Sequence, residues 1–249
     1  MTTWLEATVA AQTRWTPRLL SLRVAPPGGA SVVRFEAGQF GKLALDIGGE
    51  RVARPYSFVN APGTSPLEFF YAIVDAGPLS PRLAMLDRGD KVLLAPSAAG
   101  FLVLSEVPEA QTLWMIATGT GVGPFLSILR TDPPWKRYRR VVLVYAARHA
   151  SELAYSEALD ALAQARAELR VVRITSRDEG GVLRGRIPAL IADGSLEAAA
   201  GCGLSADNSQ VMLCGNPEMV KDAIAILALR GMKKHRRRNP GQITVENYW

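Results

Sequence analysis

Residues 113–130 read LWMIATGTGVGPFLSILR, and the fold turns on how this stretch is parsed. An apolar run (Leu113, Trp114, Met115, Ile116, Ala117) gives way to Thr118-Gly119-Thr120-Gly121-Val122-Gly123-Pro124. Phe125, Leu126, Ile128 and Leu129 then return at helical spacing. The pattern predicts a buried strand over 113–117, a glycine turn and a helix over 124–130. Glycines let backbone N–H groups approach a ligand closely, because no Cβ stands in the way. The free amides and positive dipole end of the following helix favour an anion, typically a phosphate. Pro124 fits the first helical turn, where its missing N–H costs nothing. An ordinary tight turn between strand and helix would look the same in isolation. The stretch is neither a P-loop, since no Gly-Lys-Ser/Thr follows, nor the full G-x-G-x-x-G dinucleotide fingerprint. What it holds depends on the rest of the chain.

Downstream, strands predicted at 140–146, 170–175 and 210–214 alternate with helices at 152–169, 187–192 and 217–230. Near-continuous apolar strands alternating with helices imply a parallel α/β sheet covered on both faces. Upstream the rhythm differs. Short strands at 19–24, 39–47, 54–59, 67–74 and 92–95 are punctuated by Gly and Pro, which suggests a small antiparallel β-barrel. The one helical hint there is 80–86, with Pro81 in a first-turn position behind a possible Ser80 cap. The expected organisation is therefore two domains, a barrel over 1–105 and a nucleotide-binding α/β domain over 106–249.

Composition bounds the function. The 249 residues suffice for two domains, and 48% hydrophobic content suits a globular chain with a real core. No apolar run approaches the ~18 residues that span a bilayer, and residues 1–15 lack a secretory signal pattern. Two cysteines, Cys202 and Cys214, without C-x-x-C or a His cluster argue against structural zinc and iron–sulfur clusters. The expectations are a cytoplasmic chain, most simply a monomer, with no metal and no membrane partner. The net charge of +6 is partly concentrated in Lys233-Lys234-His235-Arg236-Arg237-Arg238. Such a run is a solvated face, a phosphate neighbourhood or a docking surface for an acidic protein. No nucleic-acid fold signature or interleaved stacking aromatics surround it, so no nucleic-acid partner is expected.

In an open parallel sheet, ligands bind beyond the carboxyl ends of the strands. Those ends carry Thr118, Gly119, Thr120 and Gly121; Ala147 and Arg148; Ser176 and Arg177; and Cys214, Gly215 and Asn216. Arg186 lies a short loop after Arg177. A guanidinium forks two donors onto one phosphate, so Ser176-Arg177 followed by Arg186 suggests a phosphate clamp. Such a clamp selects NADP(H) over NAD(H), where an acidic residue would meet the ribose hydroxyls.

The barrel domain adds Arg54-Pro55-Tyr56-Ser57 and Gly77-Pro78-Leu79-Ser80, and the chain ends Glu246-Asn247-Tyr248-Trp249. With these residues the sequence resembles the ferredoxin–NADP⁺ reductases over nearly its whole length, most closely the bacterial ferredoxin/flavodoxin–NADP⁺ reductases. The first tetrapeptide looks like the family's Arg-x-Tyr-Ser flavin motif, the second like its Gly-x-x-Ser/Thr pyrophosphate motif. Thr118–Pro124 matches its Gly-Thr-Gly-x-Ala/Gly-Pro turn, Cys214-Gly215-Asn216-Pro217 its Cys-Gly-x-Pro nicotinamide motif, and the terminus its Glu-x-Tyr ending. Trp249 follows as in one bacterial subgroup.

The resemblance implies an FAD-dependent oxidoreductase that transfers hydride between NADP(H) and flavin and single electrons to or from ferredoxin or flavodoxin. Tyr56 would lie on one flavin face, Arg54 would neutralise the FAD pyrophosphate, and Ser57 would bond near flavin N5. Pro55 belongs to the same flavin-binding strand. Phe70, Tyr71 and Ala72 would run beside the flavin, and Pro78, Leu79 and Ser80 would meet the pyrophosphate. Thr120 is assigned to FAD, and Tyr248 would cover the opposite flavin face. Cys214 would stand on the nicotinamide side as a contact rather than a nucleophile, and Glu246 of the Glu-x-Tyr ending joins Tyr56, Ser57, Cys214 and Tyr248 as a catalytic candidate. Thr118, Gly119, Gly121, Ala147, Gly215 and Asn216 are assigned to NADP, with Ser176, Arg177 and Arg186 on its 2′-phosphate. Arg148 would serve the FAD adenine together with Trp249, or NADP, or each in turn. Plant-type members add lysine and tyrosine contacts after Ser-Arg, whereas Asp178-Glu179 stand here. Phe70 occupies a position where close relatives often have tyrosine. A reductase component serving another acceptor, or a flavin-binding redox sensor with little turnover, would share this fold.

Overall fold

The computed structural model describes residues 3–29 and 32–247, the last for its backbone alone. The chain divides into two compact units, Met1–Val103 with Gly123–Thr131, and Leu104–Val122 with Asp132–Trp249.

The first unit contains β1 (Leu5–Arg14), β2 (Leu19–Ala25), β3 (Phe40–Ile47), β4 (Glu50–Ser57), β5 (Leu67–Ala72), α1 (Ser80–Leu83) and β6 (Lys91–Leu94). The sheet order is β4-β3-β6-β1-β2-β5, with every neighbouring pair antiparallel. Just past β4, Phe58 bridges Phe69 of β5, and the Val59 N–H donates to the Glu68 carbonyl at 2.9 Å. These contacts join the two outer strands of the sheet just past β4, as the expected antiparallel barrel requires. Leu20, Leu22, Leu43, Phe58, Leu67, Phe69 and Leu94 fill its core. Each such side chain stabilises the fold by about 1.5–3 kcal/mol on burial.

Two local expectations are corrected. The helix is α1 alone, with Leu79 rather than Ser80 at its N-cap; the Ser80 hydroxyl instead accepts the Val74 N–H at 2.9 Å. β1 was not anticipated. Only Ala7 and Val9 of its ten residues are fully buried, and its register slips between Val9 and Ala11, so no clean alternation marked it.

The second unit holds a parallel sheet of β7 (Thr112–Thr118), β8 (Arg140–Ala147), β9 (Leu169–Thr175), β10 (Leu183–Arg184), β11 (Ser209–Gly215) and β12 (Ile243–Asn247). Its order is β10-β9-β8-β7-β11-β12, all parallel. Helices α3 (Pro133–Arg137), α4 (Ser156–Ala165), α5 (Ile187–Ala192), α6 (Ser195–Ala200) and α7 (Pro217–Leu229) connect the strands. Trp114, Val142, Val144, Ile174, Val211 and Leu213 of the sheet pack with Ile191 of α5 and Leu227 of α7. The helix expected over 152–169 is shorter. Ala150–Glu152 form a 3₁₀ turn, Tyr155 sits in the left-handed region at φ 62°, and Leu169 already belongs to β9. β10, β12, α3 and α6 went unseen in the sequence because each is short or lacks a clear period.

Helix α2 (Val122–Leu129) follows a 3₁₀ turn at Gly119–Gly121. From Gly123 onward it packs with the first unit, although the sequence reading assigned it to the second. The Ser127 hydroxyl donates to the Asn60 carbonyl at 2.8 Å, and an Arg130 N–H donates to the Val59 carbonyl at 2.9 Å.

Candidate functional site

In the first unit β4 delivers Arg54, Pro55, Tyr56 and Ser57. Pro55 and the Arg54 side chain are exposed, and among the described residues the Arg54 side chain donates to its neighbour's carbonyl alone, Ala53 O at 2.7 Å. Tyr56, two residues along on the same strand face, is half-buried. Its ring meets that of Tyr71 edge-on, with centroids 5.8 Å apart at 71°. Burial pushes the Tyr56 hydroxyl up to about 12, against the opposing pull of Arg54. Tyr71 is displaced upward as well, chiefly by burial. Its hydroxyl is buried with no hydrogen-bond partner among the described residues.

Ser57 is buried, and Gly123 of α2 packs against its strand. A Cβ on Gly123 would stand 3.6 Å from Val59 Cγ2 and 4.0 Å from Ser57 Cβ. Phe70 is buried and Ala72 half-buried. Beyond them the loop over 74–80 is closed by the Gly77 N–H on the Val74 carbonyl (2.8 Å) and by the Ser80 hydroxyl. Pro78 is exposed at this turn. The Leu79 and Ser80 amides donate to no acceptor among the described residues.

In the second unit the ends of β7 and β11 are knitted together. The Asn216 N–H donates to the Thr118 hydroxyl at 2.8 Å, and Asn216 Oδ1 caps α7 by accepting the Glu218 and Met219 amides. Gly215 has φ +128°, and a Cβ there would fall 2.2 Å from Thr118 Oγ1. A Cβ on Gly121 would fall 2.5 Å from the Cys214 carbonyl oxygen. These two glycines are therefore required by close backbone approach. Gly119 differs. It has φ +54°, and nothing lies within 4 Å of where its Cβ would stand. Thr118, Gly119 and Thr120 are half-exposed around that open space, whereas Cys214 is fully buried.

The ends of β8 and β9 run side by side past the sheet. The Ser176 N–H donates to the Ala147 carbonyl (3.1 Å) and the Arg177 N–H to the Arg148 carbonyl (2.8 Å). Arg148, Ser176, Arg177 and Arg186 are exposed. None of these three guanidiniums meets a carboxylate among the described residues. By contrast Arg230 pairs with Glu197 at 2.5 Å, and Arg237 pairs bidentately with Glu106, its Nε 2.9 Å from Oε2. Arg230 and Arg237 are committed to structure; the guanidiniums at the strand ends are not engaged by a carboxylate of the described residues.

Glu246 lies on β12 in register with Cys214. It is half-buried, its Oε2 is buried without a hydrogen-bond partner among the described residues, and burial pushes its carboxyl up from 4.5 to about 7. Tyr248 and Trp249 lie outside the described residues. The basic run folds as a tight hairpin in which the Arg236 and Asn239 backbones bond to each other. Lys233, Lys234, Arg236 and Arg238 are exposed there, without an ion pair to any described residue. Among the described residues no group of three His, Cys, Asp or Glu side chains could hold a metal ion. No helix among those residues is long and apolar enough to cross a membrane.

Two carboxylates gain a structural role: Asp178, named from the sequence only as a departure after Ser-Arg, and Glu152, which the sequence does not single out. Asp178 accepts the Ala150 N–H at 2.8 Å, and Glu152 accepts the Arg148 N–H at 2.9 Å. The available signal for the first was Asp178 followed by Gly180-Gly181, a pattern that marks a side-chain-closed turn.

Comparison with known proteins gives a consistent result. Residues 115–224 match the model of the oxidoreductase NAD-binding domain family. The flavodoxin/ferredoxin–NADP reductase of Escherichia coli (strain K12) is 48% identical over 252 residues, covering 100% of both chains. Ferredoxin–NADP reductase A of Sorangium cellulosum is 34% identical, covering 98% of this chain and 89% of its own. Among solved structures, a ferredoxin NADP⁺ reductase from Neisseria gonorrhoeae with bound FAD and NADP superposes with a TM-score of 0.94. It is 35% identical, over 100% of both chains.

Proposed function

The chain belongs to the flavodoxin/ferredoxin–NADP reductase family, and on that premise we propose that it exchanges hydride between NADP(H) and bound FAD and passes single electrons to or from ferredoxin or flavodoxin. As a member of that family it is an oxidoreductase. The observation that carries the NADP assignment is the set of carboxylate-free guanidiniums of Arg148, Arg177 and Arg186 at the carboxyl ends of the parallel strands.

The residues present fit both cofactors. The open space at Gly119 is a cradle that a Cβ would fill, suited to a backbone-bound ligand group. Ser176, Arg177 and Arg186 would hold the 2′-phosphate. On the barrel unit, the Tyr56 ring offers a flat face stiffened by Tyr71. The Arg54 guanidinium and the undonated Leu79 and Ser80 amides suit a pyrophosphate. FAD, when bound, supplies the two-electron to one-electron conversion.

The protein's own part is to bind, orient and shield. Ser57, buried at the end of β4, would hydrogen-bond near N5, and Tyr248 would shield the exposed ring. Glu246, whose carboxyl titrates near neutrality, would hold a proton within reach of the nicotinamide side. The cationic hairpin over 233–238 suits an acidic carrier protein, which long-range attraction would steer.

The test is direct. Purified protein should be yellow, should be reduced faster by NADPH than by NADH, and should then reduce ferredoxin or flavodoxin at a rate that falls with salt. A colourless protein that takes up no FAD would sink the reading.

A further inference from the structure

Asp178 poses a problem of charge. It directly follows Arg177, and a free carboxylate there would repel the phosphate that Arg177 is read as binding. Its surroundings dispose of that charge in another way. One oxygen, Oδ2, accepts the Ala150 N–H at 2.8 Å and lies 3.5 Å from His149 Nδ1, while Oδ1 accepts the Gly180 N–H at 3.2 Å. The Ala150 amide, first among several donors, holds this carboxyl below its ordinary value, so it stays ionised while turned toward backbone. The Asp178 carbonyl accepts the Thr175 hydroxyl at 2.8 Å, and the Thr175 hydroxyl oxygen in turn accepts the Gly181 N–H at 3.2 Å. A Cβ on Gly180 would stand 2.3 Å from the Ala150 Cβ, so the two turns are packed as closely as glycine permits. Glu179, the other acid of the pair, is engaged by Arg184 at 3.2 Å.

The facing turn shows the same device. Glu152 Oε2 accepts the Arg148 N–H at 2.9 Å and the His149 N–H at 3.2 Å. Three successive amides, those of Arg148, His149 and Ala150, are therefore each taken by a carboxylate of the chain itself. Unoccupied, three consecutive N–H groups would form an anion nest of their own. Filled from within, they leave the exposed guanidiniums as the donors that an incoming phosphate can use.

We propose that Asp178 is a positioning residue for NADP(H) selection, stapling the turn after β9 to the turn after β8 so that Arg177 and Arg148 are presented together to the 2′-phosphate. This rests on the phosphate-clamp reading above. The discriminating power lies in the pair of turns, and Asp178 acts on the ligand only through them.

The test uses the FAD-loaded full chain and two probes, adenosine 2′,5′-bisphosphate and adenosine 5′-monophosphate, titrated by calorimetry. Asp178→Ala should weaken the bisphosphate about tenfold and leave the monophosphate within about twofold. Asp178→Asn keeps an acceptor for the Ala150 amide and should recover most of the loss, which a role in bulk charge would not allow. In steady state the Ala variant should raise the KM for NADPH while kcat and the KM for NADH hold. Tighter bisphosphate binding in either variant would identify Asp178 as a repulsive residue and overturn the proposal. So would an unchanged affinity, or an equal loss for both probes. Wild-type protein that binds the two probes equally would instead break the clamp reading itself, and the proposal with it.

Discussion

The two sheets of this protein expose their functional residues in different ways. In the parallel sheet every strand finishes at the same edge, so residues from β7, β8, β9 and β11 collect there although nearly a hundred positions separate Thr118 from Asn216. In the barrel, neighbouring strands run in opposite directions, and strand direction alone gathers nothing. The candidate flavin residues there come from the ends of two strands (Arg54 to Ser57 of β4, Phe70 to Ala72 of β5) and from the loop that runs into α1 (Pro78 to Ser80). A second contrast follows. The parallel unit meets its proposed ligand with glycines and guanidiniums; the barrel meets its own with rings and a few amides. Topology makes the first kind of site readable from strand positions, and the second kind needs motifs.

The contrast can be broken most severely at the glycines. Gly215→Ala places a Cβ against Thr118 Oγ1 at a positive φ and should cost about 3 kcal/mol in urea unfolding. Gly119→Ala, with open space in front of it, should cost about 1 kcal/mol and mainly weaken nucleotide binding. Equal unfolding midpoints would erase the distinction between a packing glycine and a ligand glycine. Next in size, Arg177→Ala should raise the NADPH KM by about 10–100-fold while the NADH KM moves by less than about threefold. Equal effects on both would reduce the guanidinium to surface charge.

On the barrel side, Tyr56→Leu should weaken FAD binding about tenfold, read from the flavin absorbance retained on dilution, whereas Tyr56→Phe should hold it. The smallest effect concerns Glu246. Its folded value of about 7 lies above the unfolded 4.5, so the native state resists ionisation. The resulting penalty is absent below about 4.5, grows as pH rises, and reaches its full size above about 7. Glu246→Gln has no such penalty. Its melting temperature relative to wild type should therefore rise by roughly 2–4 °C between pH 5 and pH 8. A constant difference would mean that Glu246 is ionised in the folded protein across that range.

Most of the parallel unit was legible because its strands are near-continuous apolar runs whose ends carry Gly or Arg. The LWMIAT run and the RVVLVYA run needed no partner to be recognised. β12 and β10 were not legible, since ITVEN and a two-residue strand gain their identity only by pairing with β11 and β9. β1 failed for a related reason, its bulge interrupting an alternation that carries few large side chains. Asp178 illustrates the limit best. By sequence it stands where a phosphate-repelling charge would stand; in space it is spent on the Ala150 amide twenty-eight positions away.

The sequence by itself determined the order of a barrel and a parallel sheet, the glycine turns, and which arginines stand at strand ends as candidates for a phosphate. These are consequences of local period, steric freedom and side-chain chemistry, which travel with the residues. Only the tertiary structure decided which arginines remain free, which carboxylates are neutralised by backbone amides, and that residues 123–131 pack with the barrel. Those outcomes depend on what each group meets after folding, because a charge or a donor acquires its function from the partner left to it.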